Sequence, residues 1–356
     1  MSRTRTSIHR RVLLAAAISA TCALGPAGMA SAAAPAQVHT RQASYTVDSA
    51  ELGQGLYQSA YSARNNVLWV TSSVGFPPVT QSQLLKVDPG TLKVQAAYTP
   101  PLKDEATGAR EAVYGVAVDD AHNTVWTTNT LDNSLAVYSQ RTGRHLASLP
   151  GVKHARDVIV DEQRNLAWAT GLEDGSVVAF DTRTYQQKRR VTVEGAGPAG
   201  LALDQRTGTV YAADLMNSRL IEVSPTSDEP RLIPAGRGSI DVSVSADGRT
   251  AYTANQAAGS VSVIDLRAGV VRKEIATGAG SLAVATDVCT GNVFVANRGS
   301  GTTTVVDPRN GTVLADLSTG ANTDHVVVTR GTAYVLDKAA AGAGAVDSIH
   351  RIRVTG

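Results

Sequence analysis

Two cysteines in 356 residues leave this chain little to cross-link with. Cys22 lies in a leader-like N-terminal stretch, so Cys289 would stand alone in the mature protein and no intramolecular disulfide could form. Stability must come from packing. Aromatics make up 4% of residues and charged groups 18%, too few charges for a coiled coil laced by salt bridges. No apolar run after the leader reaches the ~18–20 residues that a membrane span needs. Several chemistries lack their motifs. There is no haem-attachment Cys-x-x-Cys-His, no His-Glu-x-x-His zinc helix, no Gly-Lys-Ser/Thr phosphate loop and no Gly-x-Ser-x-Gly serine elbow in a strand-to-helix setting.

What the sequence does have begins with its charge distribution. Arg3, Arg5, Arg10 and Arg11 precede an apolar stretch, Val12 to Leu24, and a small-residue site, Ala30-Ser31-Ala32. This is the layout of a secretory signal peptide over residues 1–32, followed by a short linker, 33–42. Arg10-Arg11-Val12-Leu13-Leu14 also fits a loose twin-arginine pattern, so either the Sec or the twin-arginine route is open. With these four arginines set aside, the 33 basic residues fall to 29 against 31 acidic ones, formal net −2. Nucleic-acid binders are usually basic, so the mature charge argues against that class.

An aromatic that ends a short apolar run recurs at Trp69, Trp126, Trp168, Tyr211, Tyr252, Phe294 and Tyr334, with spacings of 57, 42, 43, 41, 42 and 40. A small polar residue stands seven positions earlier in six units: Ser62, Asp119, Asp161, Asp204, Ser245 and Asp287. Turn formers stand three positions later: Ser72, Asn129, Gly171, Asp214, Asn255, Asn297 and Asp337. Each unit then continues with an alternating run such as Ser260 to Asp265, a turn and a last run. Four strands per unit and seven units predict an all-β seven-bladed propeller over 43–356. The seventh unit stops one strand short, and Ser44-Tyr45-Thr46-Val47 supplies an unassigned strand, so the N-terminal strand should close the last blade. Insertions are expected at Ser73 to Gln83, Pro100 to Arg110 and Ala339 to Ala345.

Tyr252-Thr253-Ala254-Asn255 and Phe294-Val295-Ala296-Asn297, each followed by an alternating strand, resemble the tyrosine-valine-threonine-asparagine repeat of bacterial and archaeal propellers. With its leader, the chain resembles exported YncE-like proteins. The resemblance covers about residues 43 to 356. It implies a periplasmic or extracellular propeller with no agreed reaction, and single-stranded DNA binding is associated with some relatives.

Inner strands line a propeller's channel, so two rings of positions near their starts are candidate site residues. Counting back four from the turn gives Gln58, Gly115, Asp157, Gly200, Asp241, Ala283 and His325; counting back five gives Tyr57, Tyr114, Arg156, Ala199, Ile240, Leu282 and Asp324. Side-chain alternation predicts that only one ring faces the channel. Asp157, Asp241 and His325 are candidate ligands for a divalent metal ion that would polarise a carbonyl and activate water. The other reading has these groups hydrogen-bonding neighbouring strands or channel water. His154, Arg156, Arg237, Arg298 and Lys338 could form a small anion-binding surface, or remain solvated loop charges. The Asn/Asp ring after the aromatics is expected to cap turns, the aromatics to be core, Lys188-Arg189-Arg190 to guard a blade edge, and Cys289 to be a turn thiol.

The function read from the sequence is an exported, monomeric binding or scaffold protein that takes a small molecule or protein ligand at the channel mouth and needs no catalysis. The alternatives are a metal-assisted, lactonase-like hydrolase or lyase and, third, single-stranded DNA binding.

Overall fold

The computed structural model describes residues 44–339 and 345–355. The expected signal peptide, the linker and most of the alanine-glycine insertion fall outside them. Seven four-stranded antiparallel sheets follow one another, six of them built by hairpin steps from an inner to an outer strand and the seventh completed by the N-terminal strand. The inner strands are Leu56–Ser62, Val113–Asp119, Ala155–Asp161, Pro198–Asp204, Ser239–Val244, Ser281–Thr286 and Thr323–Thr329, which open blades 1 to 7 in order. The chain is thus the expected seven-bladed propeller.

Blades form because each buries one apolar stripe on either side. The repeated aromatic of each blade packs onto the next blade: Trp126 against Val158 and Phe180, Trp168 against Leu201 and Val210, Tyr334 against Leu56 and Leu68. All seven aromatics are buried. The Asn/Asp positions end the second strands; Asn129, Asp214, Asn255 and Asn297 bond third-strand side chains, while Asp337 accepts the N–H of Asn322. Asn255 Nδ2 donates to Ser260 and Ser262 Oγ at 3.0 and 2.8 Å, and Asn297 Nδ2 to Thr304 Oγ1 at 2.8 Å. These side chains are spent on structure.

Strand Ser44–Gly53 pairs with Asp347–Thr355 and becomes the outer strand of blade 7. Asp48 accepts from Arg351 and Arg353 across this seam at 2.8 and 2.9 Å. Two insertions differ from expectation. Strands Val67–Val74 and Gln81–Val87 extend into the first, leaving only a loop, Gly75 to Thr80. The second folds back as its own hairpin, Leu102–Asp104 with Ala109–Arg110. Cys289 is exposed in a turn of blade 6. Arg189 and Arg190 lie on the outer strand Gln187–Thr192 and bond Ser224 O and Asp174. No helix among the described residues is long and apolar enough to cross a membrane.

Candidate functional site

Every inner strand carries a β-bulge near its start. Between Leu56 and Ser59 the strand advances three residues while its partner advances two, and the same single extra residue recurs in all seven blades. The bulge overturns the expectation that one ring alone faces the channel, because it breaks the alternation at the two ring positions. Tyr57, Tyr114, Arg156, Ile240, Leu282 and Asp324 line the same constriction as Gln58, Asp157, Gly200, Asp241, Ala283 and His325. Of the fourteen positions, only Gly115 and Ala199 are not part of its wall; Ala199 packs into a core cluster instead.

The bulges leave backbone groups to be satisfied, and blades 1 to 3 use a threonine two residues after the aromatic. Thr71, Thr128 and Thr170 accept the N–H of Gln58, Gly115 and Asp157 at 3.1, 2.7 and 3.1 Å. Each hydroxyl donates onward to a bulge carbonyl of the following blade: Tyr114 O, Arg156 O and Ala199 O. These threonines were missed in the sequence, although their fixed offset from Trp69, Trp126 and Trp168 was visible there.

The large ring members latch one blade to the next. Gln58 Oε1 accepts the N–H of Val116, Asp157 that of Leu201, Asp241 that of Val284 and His325 Nδ1 that of Ser59, at 3.2, 2.8, 2.8 and 3.3 Å. Asp157 and Asp241 also hold the N–H of Val158 and Val242 with their other oxygen. Small residues occupy the intervening blades, and a Cβ on Gly200 would stand 2.1 Å from Asp241 Oδ1. Burial pushes the Asp157 carboxyl up to about 6 and Asp241 up to about 7, the latter helped by the charge of Asp157. Burial also lowers His325 to about 4, so its imidazole is neutral near pH 7.

This arrangement does not fit the expected metal set. The carboxylate oxygens of Asp157 and Asp241 are each directed at a backbone N–H, and His325 Nδ1 faces Ser59. Among the described residues no group of three or more His, Cys, Asp or Glu side chains is arranged to hold an ion. The constriction has about 30 Å³ of free space, the room of a water molecule or two.

Above it, on the mouth face, lies a layered stack. Tyr57 and Tyr114 have ring centroids 4.4 Å apart; Lys338 Nζ stands 3.3 Å from the Tyr57 centroid, and the Arg156 guanidinium 4.7 Å from that of Tyr114. Arg298 joins them and pairs with Asp324 through Nη2, while its Nε is buried with no hydrogen-bond partner among the described residues. Burial lowers the pKa of both Arg298 and Lys338. Neither Arg156 nor Lys338 has a carboxylate partner within 4 Å among the described residues. Of the other anion-site candidates, His154 sits 3.4 Å from Glu173 with its pKa lowered by burial, and Arg237 bonds Ala257 O. Beside the stack opens a cavity of about 230 Å³ that sequence reasoning did not anticipate; it shares Tyr57, Tyr114 and Arg156 with the constriction.

No protein-family profile matches the sequence. It is 23% identical over 242 residues to uncharacterized protein YncE of Salmonella typhi, covering 63% of this chain and 66% of that protein. Against the Escherichia coli K12 YncE the identity is 24% over 217 residues, covering 60% and 49%. The chain thus spans between about half and just under two thirds of these curated relatives. Among solved structures it resembles a catalytically inactive virginiamycin B lyase from Staphylococcus aureus crystallised with quinupristin, with TM-score 0.70, 11% identity, and coverage of 88% of this chain and 100% of that one. A streptogramin B lyase gives TM-score 0.70 at 12% identity, covering 87% and 98%. At such identity the likeness establishes the fold alone.

Proposed function

We propose that this YncE-like seven-bladed propeller is an exported, monomeric binding protein that takes a small anionic ligand at its channel mouth. The observation that carries this reading is the charge imbalance at the mouth: Arg156, Arg298 and Lys338 surround one tyrosine pair, and Asp324 pairs with Arg298 alone. The Nε of Arg298 is a buried donor with no acceptor among the described residues, and a carboxylate or phosphate oxygen supplies one. Desolvated cations bind anions more strongly than solvated ones. The two rings are already covered by each other and by the two cations, which disfavours a stacking platform for single-stranded DNA.

The test is titration of the purified protein with acetate and inorganic phosphate by ligand-observed NMR. Binding should weaken with salt and fall about tenfold or more in Arg156→Ala and Lys338→Met, a loss of ~1.4 kcal/mol or more. Anion binding that is absent, or indifferent to both substitutions, overturns the reading. Light scattering checks the monomer, and N-terminal sequencing of secreted protein checks export.

A lyase is the second reading, favoured by the neutral imidazole of His325 lining the same constriction as two carboxyls of raised pKa. Its obstacle on the mouth side is space, since the constriction has only about 30 Å³; a wider channel of about 420 Å³ along the rest of the inner strands also reaches Asp157, Asp241 and His325.

A further inference from the structure

The cavity beside the tyrosine stack bears on which anion the mouth accepts, and the argument rests on the anion-site reading above. Its wall combines three residues of the mouth, Tyr57, Tyr114 and Arg156, with apolar groups from two loops, Phe76, Val79 and Leu131. Phe76 is 92% exposed and Leu131 49% exposed, so two large hydrophobic side chains stand in solvent on the rim of one concavity. Isolated exposed apolar residues are ordinary, but two around a shared cavity mark a binding surface. Phe76 comes from the blade 1 loop Gly75 to Thr80, and Leu131 from the short 3-10 turn Thr130–Asp132 of blade 2.

Size and charge then define the occupant. A closed cavity of roughly 150 Å³ accommodates benzene; at about 230 Å³, this one has room for a substituted aromatic ring. Arg156 borders both compartments, so one molecule can lie with its ring among Phe76, Val79 and Leu131 and its charged group on the cations of the mouth. We infer that the ligand is an aromatic anion, a ring joined by a short link to a carboxylate or phosphate, with the loop Gly75 to Thr80 providing the apolar half of the site.

The experiment compares 3-phenylpropionate with acetate, and phenyl phosphate with inorganic phosphate, by titration against the purified protein, with benzyl alcohol as the uncharged control. Burial of a ring should raise affinity about tenfold or more. The better of the two aromatic anions identifies the charged group. Phe76→Ala and Leu131→Ala, both at exposed positions that do not endanger folding, should abolish that gain and leave acetate and phosphate binding as they were. Equal affinity for phenyl and non-phenyl anions, or a gain that survives both substitutions, overturns the aromatic assignment while the anion site stands. Loss of neither class of anion in Arg156→Ala, or no binding by any anion, overturns the anion site as well. Benzyl alcohol binding as tightly as 3-phenylpropionate also defeats the inference, because the charged half would then contribute nothing.

Discussion

The carboxylate of Asp241 in blade 5 accepts the backbone N–H of Val284 in blade 6 at 2.8 Å, joining two blades through one part-buried side chain. Its other oxygen holds the N–H of Val242. Asp241→Ala leaves both donors unpaired and should cost ~1–3 kcal/mol at pH 5.5. The cost should shrink at pH 8, where the wild-type carboxyl is charged and its burial is less favourable. Chemical denaturation at the two pH values measures the difference; equal costs would show that Asp241 does not titrate in this range.

The pH dependence of the whole protein has a definite sign. Asp157 and Asp241 titrate in the folded state at about 6 and about 7, above the unfolded value of ~3.9. The stability they contribute is complete below the unfolded value and is lost as pH rises through 6 to 7. His325 opposes them. Lowered to about 4 by burial, it contributes stability that is present above ~6.5 and lost as pH falls toward 4. The melting temperature should therefore fall between about pH 5.5 and 7.5, fall more steeply below pH 6.5 in His325→Gln, and flatten in Asp241→Ala. Calorimetric scans across that range decide it, and a melting temperature that rises with pH refutes the assignment.

Gly200 has no room for a methyl group. An added Cβ would lie 2.1 Å from Asp241 Oδ1 and 2.8 Å from the Asp241 Cα. Overpacking of this kind should destabilise Gly200→Ala by ~1–3 kcal/mol. Combining it with Asp241→Ala should recover only part of the loss, since the backbone contact remains. Urea titration of the two single variants and the double variant tests both statements.

Removing residues 44 to 53 should uncover the edge of strand Asp347–Thr355. A bare edge invites pairing with other chains. The truncated protein should melt several degrees lower, at about 2–4 °C per kcal/mol lost, and should scatter light on concentration. A truncated chain that stays monomeric with an unchanged melting temperature would show that the seam contributes little.

The blades were legible because burial between neighbours demands the same aromatic at the same offset. Trp69 to Tyr334 therefore recur with a period that sequence alone reveals. The twelve ring positions that line the constriction were legible for the same reason. The bulge was not, because an extra residue such as Tyr57 or Arg156 is defined by its pairing partner, and a single strand does not carry its register. The apolar cavity was hidden further still. Phe76 and Leu131 sit on loops of different blades, outside the repeat, and only the packing of blade 1 on blade 2 brings both beside Tyr114.

The interblade latches use a bulky polar side chain on blades 1, 3, 5 and 7 and a glycine or alanine on blades 2, 4 and 6. A ring with an odd number of places cannot alternate two kinds of occupant without one defect, and here the defect falls where His325 meets Gln58. Parity alone thus removes the rotational symmetry that seven similar blades would otherwise have. Tyr57 and Lys338 lie on blades 1 and 7, the pair that flank this defect. A ligand descending the axis would meet a single preferred azimuth instead of seven equivalent ones, so even a small chiral molecule could be held in one orientation.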